Sequence, residues 1–144
     1  MNLTDNKMKL EFLSKSANEG FARAAVAAFV SQLDPTLEEL ADIKTAVSEA
    51  VTNAIVHGYG HPNGIVTILC ELSQNTAKIE VCDNGKGIAD IALATKPLYT
   101  QSPDSERSGM GFTVMETFMD TMNVESAPNQ GTIVTLTKQI GTAS

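Results

Sequence analysis

The chain has 144 residues, 42% of them hydrophobic, which suffices for one domain with a substantial buried core and argues against disorder. Seventeen acidic residues against ten basic ones give a formal net charge of -7, which disfavours direct binding to a nucleic-acid backbone and suits a basic protein partner better. Cys70 and Cys82 lack the paired spacing of a zinc site, and no apolar run reaches the length of a membrane span or has the look of a secretory segment, so the expectation is a cytoplasmic, membrane-free protein with reduced cysteines.

Met8 to Leu13 alternates apolar and polar residues, the pattern of a half-buried strand. Ser16-Ala17-Asn18-Glu19 has capping-box spacing and opens an alanine-rich helix predicted to run to Gln32, before Asp34-Pro35. Arg23 is the only charge in that helix's interior and one of two arginines in the chain. A small-residue surface carrying a single guanidinium suits a partner or subunit contact, with a solvated arginine on a buried helix as the alternative.

Thr36-Leu37-Glu38-Glu39 is a second capping box, and its helix is predicted to run to His57, with Gly58 as the stop. Leu37, Leu40, Ile43, Val47, Ala50 and Ala54 keep helical spacing and form the expected core stripe. Glu49 and Asn53, four residues apart, stack on a polar face, with Thr45 a turn before and His57 a turn after. A carboxylate and a carboxamide so placed can hold a hydrated magnesium ion through oxygen while the carboxylate orients a hydroxyl or water; a merely solvated pair is the alternative. The stretch from His57 to Gly64 reads as a loop whose two histidines lack a third ligand, so no metal role is assigned to them.

Gly64 to Ser73 and Thr76 to Asp83 read as a hairpin about Gln74-Asn75. Ala77, Ile79, Val81 and Asp83 share one parity, so Asp83 continues an apolar row. A carboxylate there is costly unless something donates hydrogen bonds to it, and a ligand amine can. Asp83-Asn84-Gly85-Lys86-Gly87 and Ser108-Gly109-Met110-Gly111-Phe112 are glycine turns that let the backbone approach a ligand, the second at the start of a helix whose free N–H groups face an anion. Together they outline a phosphate lid and point to a nucleotide, where each alone would pass as an ordinary turn. Between them Ile88 to Ala94 reads as a short helix and Thr95 to Arg107 as a mobile, proline-punctuated loop. Phe112, Met115, Met119 and Met122 mark the next helix, its methionines as core fillers. A last hairpin, Met122 to Ser126 and Gly131 to Gln139, turns at Pro128-Asn129-Gln130 and points the Thr132 hydroxyl inward, beside Asp83 if the strands pair.

Ser48-Glu49-Ala50-Val51-Thr52-Asn53-Ala54 resembles the N box, the two glycine turns resemble the two glycine boxes, and Gly131-Thr132 resembles the closing element of the gyrase, Hsp90, histidine-kinase and MutL ATP-binding superfamily. Within it the chain is most similar to the small anti-sigma-factor serine kinases, and Val47 to Gly58 and Glu106 to Phe112 look like the sporulation anti-sigma-F factors. The resemblance covers nearly the whole chain and implies a single ATP-binding kinase domain over residues 1–144. Its α/β fold, of Bergerat type, would be a two-layer α+β sandwich with a mixed, mostly antiparallel sheet covered on one face by about three helices. It further implies that Asp83 binds the adenine amino group with help from Thr132, that Asn53 holds the magnesium ion, and that Gly85 and Gly87 shape the adenine side. Backbone amides of Ser108, Gly109, Met110 and Gly111 would meet the phosphates, Glu49 would be the general base, and Arg107 would neutralise the γ-phosphate. The implied activity is an ATP-dependent protein serine/threonine kinase that inhibits a sporulation sigma factor (sigma-F) and phosphorylates an anti-anti-sigma protein, working as a homodimer with no direct nucleic-acid contact. Arg23 is the expected partner-binding residue. Two alternatives stay open: a catalytically idle, ATP-gated sequestering module, and an ATPase piece of a histidine kinase. Gln101-Ser102-Pro103 stands where related lids often read Thr-Lys-Pro, which removes any lysine contact made there.

Overall fold

Alternation along the strands divides one sheet into an apolar and a polar face, and the helices all lie on the apolar one. The computed structural model describes residues 5–88 and 106–141, with the side chains of 106–110 left aside. In chain order the elements are β1 (Asn6–Leu13), α1 (Asn18–Val30), α2 (Leu37–Thr52), β2 (Ile65–Ser73), β3 (Thr76–Asp83), α3 (Glu106–Phe118), β4 (Thr121–Ser126) and β5 (Thr132–Gln139). The five strands pair in the order β1-β2-β3-β5-β4, antiparallel at every described pairing. This is the expected α+β sandwich. The short helix and loop expected between Ile88 and Arg107 lie, for residues 89–105, outside the described residues.

Phe12 of β1, Val66, Ile68, Cys70 and Leu72 of β2, Ala77, Ile79 and Val81 of β3, and Val134 and Leu136 of β5 share the buried face, against Ala22, Val26 and Val30 of α1 and Ile43, Ala46, Val47, Ala50 and Val51 of α2. Each fully buried aliphatic side chain contributes roughly 1.5–3 kcal/mol, so this layer is the main source of stability. Met115 of α3 and Met119, just past its end, fill the same core, whereas Met122, expected on that helix, lies in β4 because the helix stops at Phe118. Cys70 lies in it as a free thiol, pushed by burial up to about 12, and Cys82 is also unpaired. Lys138 of β5 ties the sheet to the helical layer, donating from Nζ to the Phe118 carbonyl at 2.8 Å and pairing with Asp42 of α2 at 3.5 Å.

The turns follow the residues available. Gln74 and Asn75 both take positive φ, 51° and 65°, which closes the β2–β3 hairpin in two residues. Thr36 caps α2 in full: its hydroxyl accepts from Glu39 N–H at 3.0 Å, and the Glu39 carboxylate accepts from Thr36 N–H at 2.8 Å. The expected box at Ser16 does not form. Glu19 faces α2 instead, where its Oε2 accepts from Ser48 Oγ at 2.9 Å and from Arg23 at 3.1 Å, while α1 starts at Ala17 without a side-chain cap. Leu37 is likewise not core. It is 88% exposed on the solvent side of the first turn of α2, where Thr36 and Glu38 are also exposed, and the buried stripe begins at Ile43.

Since the Thr36 cap satisfies amides far from the apolar layer, Thr36→Ala is expected to cost about 1 kcal/mol in urea unfolding while leaving nucleotide affinity unchanged by titration calorimetry.

Candidate functional site

Helix α2 does not stop at Gly58. It passes into a π-helical turn over Asn53–Tyr59 and ends at Gly60, which is left-handed at φ 69°. In a π turn residue i bonds to i+5, so Gly58 recurs above Asn53 on the same side, and short π segments are frequent at functional sites. Gly58 is there for proximity. A Cβ on it would lie 2.8 Å from the Asp83 carboxylate, so only glycine lets the helix end press onto that group.

Asp83 ends β3 opposite Thr132 of β5 and is 7% exposed, so the inward parity read from the sequence holds. Its Oδ1 accepts from Gly85 N–H at 2.9 Å, and the Thr132 backbone also donates to it. Burial raises the carboxyl above its ordinary value, an effect these two bonds oppose. Thr132 is buried beside it. Ser126 Oγ donates its single proton to the Gly131 carbonyl at 2.7 Å, so the Thr132 hydroxyl must be the donor in their 2.8 Å bond and keeps its lone pairs free to accept. The turn after Asp83 is locked from both sides. Lys86 N–H donates to Gly58 O at 2.9 Å, Gly131 N–H to Gly85 O at 3.1 Å, and Asn129 N–H to Lys86 O at 2.7 Å. Gly85 lies against the Gly58 carbonyl and Gly87, at φ 73°, against the Ala127 carbonyl, leaving no room for a side chain at either.

A pocket opens from Asp83 toward α2, lined by Ala50, Asn53, His57, Lys86, Phe112 and Thr132 among others. The Asn53 carboxamide stands in its wall with a buried Nδ2 that has no hydrogen-bond partner. A half-turn of the amide exchanges that nitrogen for the oxygen, so one unsatisfied polar atom faces the site in either setting. Asn53 and Glu49 converge on Gly111: a Cβ there would lie 3.3 Å from both side chains. Among the described residues no group of three His, Cys, Asp or Glu clusters for a metal. A magnesium ion fits this donor set only through oxygen from Asn53 together with phosphate oxygens, the usual manner of magnesium sites on nucleotides.

The structure thus brings together Glu49, Asn53, Asp83, Gly85, Gly87, Gly111 and Thr132. Helix α3 begins at Glu106, so Gly111 lies in its second turn, where its N–H belongs to the helix ladder, and only the amides near the helix start remain for an anion. The side chains of Arg107, Ser108 and Met110, and the lid departure Gln101-Ser102-Pro103, lie outside what the structure describes. Arg23 stands apart on α1, its side chain 42% exposed, bonded to Glu19 at 3.1 Å and Ser48 at 3.3 Å. His57 lines the pocket from the polar face on which the sequence set it a turn after Asn53, Lys86 lines it from within the first glycine turn, and Tyr59, which the sequence left in a loop without a role, reaches the peptide after Asp83.

The chain matches the histidine kinase-like ATPase domain over residues 12–138. It is 62% identical over 136 residues to an anti-sigma F factor of Thermoanaerobacter sp. (strain X514), covering 94% of this chain and 95% of that one. An anti-sigma F factor of Clostridium novyi (strain NT) is 61% identical, with 96% and 97% covered. Among solved structures, that of the RsbU and RsbW domains of a Mycobacterium tuberculosis protein superposes with a TM-score of 0.69 at 19% identity, over 94% of this chain and 32% of that one. The catalytic domain of the histidine kinase ThkA gives 0.57 at 15% identity, over 92% and 96%. At such identities these two speak for the fold alone.

Because the folded-state pKa of Asp83 is raised, the native protein holds the extra proton, and stability falls as pH rises from the ordinary carboxylate value through the raised one. Asp83→Asn is expected to lose that slope in urea unfolding, to stay within about 1 kcal/mol of wild type at neutral pH, and to bind ATP roughly tenfold or more weakly by calorimetry. Wild-type ATP affinity in the folded variant would remove Asp83 from nucleotide recognition.

Proposed function

This chain belongs to the histidine kinase-like ATPase domains and, within them, to the anti-sigma F factors, and on that footing we propose that it binds and inhibits a sporulation sigma factor and phosphorylates a serine of an anti-anti-sigma protein at the expense of ATP. The observation that carries this reading is that Asn53, in the wall of the pocket that runs to the buried Asp83, also meets Glu49 at Gly111. Among the described residues no helix is long and apolar enough to cross a membrane. A homodimer of single kinase domains over residues 1–144, acting in the cytoplasm without direct contact to nucleic acid, completes the proposal.

In this reading the Asp83 carboxylate accepts from the adenine amino group, with the Thr132 lone pairs beside it. Gly85 and Gly87 keep the adenine wall thin, and the amides of α3's first turn, from Ser108 and Gly109, meet the phosphates. Magnesium, held by Asn53, would neutralise phosphate charge. The serine reaches Glu49 from the opposite side, because Arg23, Lys44, Thr45, Ser48 and Glu49 line a second groove between α1 and α2. Glu49 therefore lines the groove and, beside Asn53 at Gly111, stands next to the proposed nucleotide pocket. Its carboxylate takes the proton of the serine hydroxyl as the serine oxygen bonds to the γ-phosphorus, the bond from that phosphorus to the β–γ bridging oxygen breaks, and ADP leaves. Arg107 would neutralise charge on the transferring group, for which a guanidinium is suited.

Glu49→Gln keeps the side chain's size but cannot take the proton. Phosphotransfer to the serine partner in a single-turnover assay is expected to fall about 10²–10⁴-fold while ATP affinity and sigma binding persist. An unchanged rate would remove Glu49 as the base, and wild-type protein that transfers no phosphate to any serine partner would favour the idle sequestering module.

Arg23→Glu reverses the charge at the mouth of the groove without touching the pocket. It is expected to weaken binding of both protein partners at least tenfold in a pull-down titration, with ATP affinity unchanged. Wild-type partner affinity would return Arg23 to a structural role between α1 and α2.

A further inference from the structure

Tyr59, the last residue of the π turn, is tied into the adenine end of the pocket without lining it. Its ring lies flat against the backbone of Gly64, where a Cβ would come within 2.5 Å of the ring, and His61 packs on it with centroids 5.6 Å apart. That loop is anchored to the end of β1 through the buried Ser14, whose Oγ donates to His61 O at 2.6 Å and accepts from Gly64 N–H at 3.0 Å. From this fixed position the Tyr59 hydroxyl donates to Ile65 O at 2.6 Å and accepts from Asn84 N–H at 2.7 Å. The peptide it holds is the first one after Asp83.

Three successive amides of the turn are therefore claimed: Asn84 by Tyr59, Gly85 by the Asp83 carboxylate, and Lys86 by the Gly58 carbonyl. Two of the three acceptors belong to the π turn. The carboxylate's orientation depends on where Gly85 N–H lies, and Gly85 follows the peptide that Tyr59 holds. Asn84 is exposed and Tyr59 only half-buried, so without the hydroxyl the Asn84 amide would bond to water at little cost in stability. What changes is the aim of Asp83. We propose that Tyr59 is a positioning residue for adenine recognition, setting the Asp83 carboxylate through the Asn84 peptide. This rests on the reading that Asp83 receives the adenine amino group.

The test compares ATP with ITP, whose base lacks the exocyclic amine, by titration calorimetry on wild type, Tyr59→Phe and Asp83→Asn. Tyr59→Phe keeps the ring on Gly64 and removes only the hydroxyl. ATP affinity is expected to fall roughly three- to tenfold with ITP affinity within about twofold of wild type, so that discrimination narrows. Equal losses for both nucleotides, or none, overturn the proposal. If Asp83→Asn leaves the ATP-to-ITP ratio unchanged, the adenine reading itself fails; if it collapses the ratio and Tyr59→Phe does not, only the Tyr59 proposal fails. Should Tyr59→Phe prove too unstable to titrate, hydrogen exchange in the wild-type protein decides: a protected Asn84 amide supports the proposal, and one that exchanges like a free loop amide overturns it.

Discussion

A carboxylate held almost out of water is the constraint from which the site follows. Removing an ion from water costs several kcal/mol even after relaxation, and a hydrogen bond to a charged group returns about 1.5–3. Asp83 has two backbone donors, Gly85 and Thr132, and keeps acceptor capacity toward the pocket. Around it the chain comes closer than any side chain allows. Gly58 presses on the carboxylate from the helical layer, and Gly131, at φ 79°, lies against the Asp83 carbonyl. The apolar layer of Ile68, Ile79, Val81 and Leu136 supplies the stability against which this local cost is set.

The π turn connects the two ends of the pocket. One residue, Asn53, begins it and carries an unsatisfied amide atom; another, Gly58, meets Asp83; the last, Tyr59, reaches the following peptide. A regular α-helix would rotate these residues differently, since its turn repeats every 3.6 residues and the π turn is wider. Whatever shifts Asn53 along α2 therefore also moves Gly58 and Tyr59, a mechanical link between the two ends of the pocket.

Helix α2 also separates two openings of different character. Toward α3 it presents Asn53 to the pocket that ends at Asp83, and toward α1 it presents Lys44, Thr45 and Ser48 to the groove that holds Arg23. Glu49 sits between them. In a chain of net charge -7, the groove brings Arg23 and Lys44 together with Glu49, and Arg23 is paired with the Glu19 carboxylate. The Glu19 carboxylate, drawn from the expected cap, holds Arg23 and Ser48 together there.

Period-two alternation placed Asp83 and Thr132 on the buried face, the hairpins were set by Gln74-Asn75 and by the Pro128 to Gly131 turn, and Thr36 with Glu39 marked the start of α2; each signal is local and survived unchanged. Glu49 and Asn53 were legible for the same reason, being one helical turn apart. Tertiary contact decided the rest. The Ser16 box has the same spacing as the Thr36 box, yet Glu19 found a better partner across the helix interface, which no spacing along α1 encodes. Gly58 reads as a stop because glycine ends helices in general, and its true use appears only when β3 brings Asp83 against it. Tyr59 has no pattern at all, since its role rests on a bond to a residue 25 positions away. Local periodicity is written in the order of residues, whereas close approach between distant backbones exists only once the sheet and the helical layer have packed.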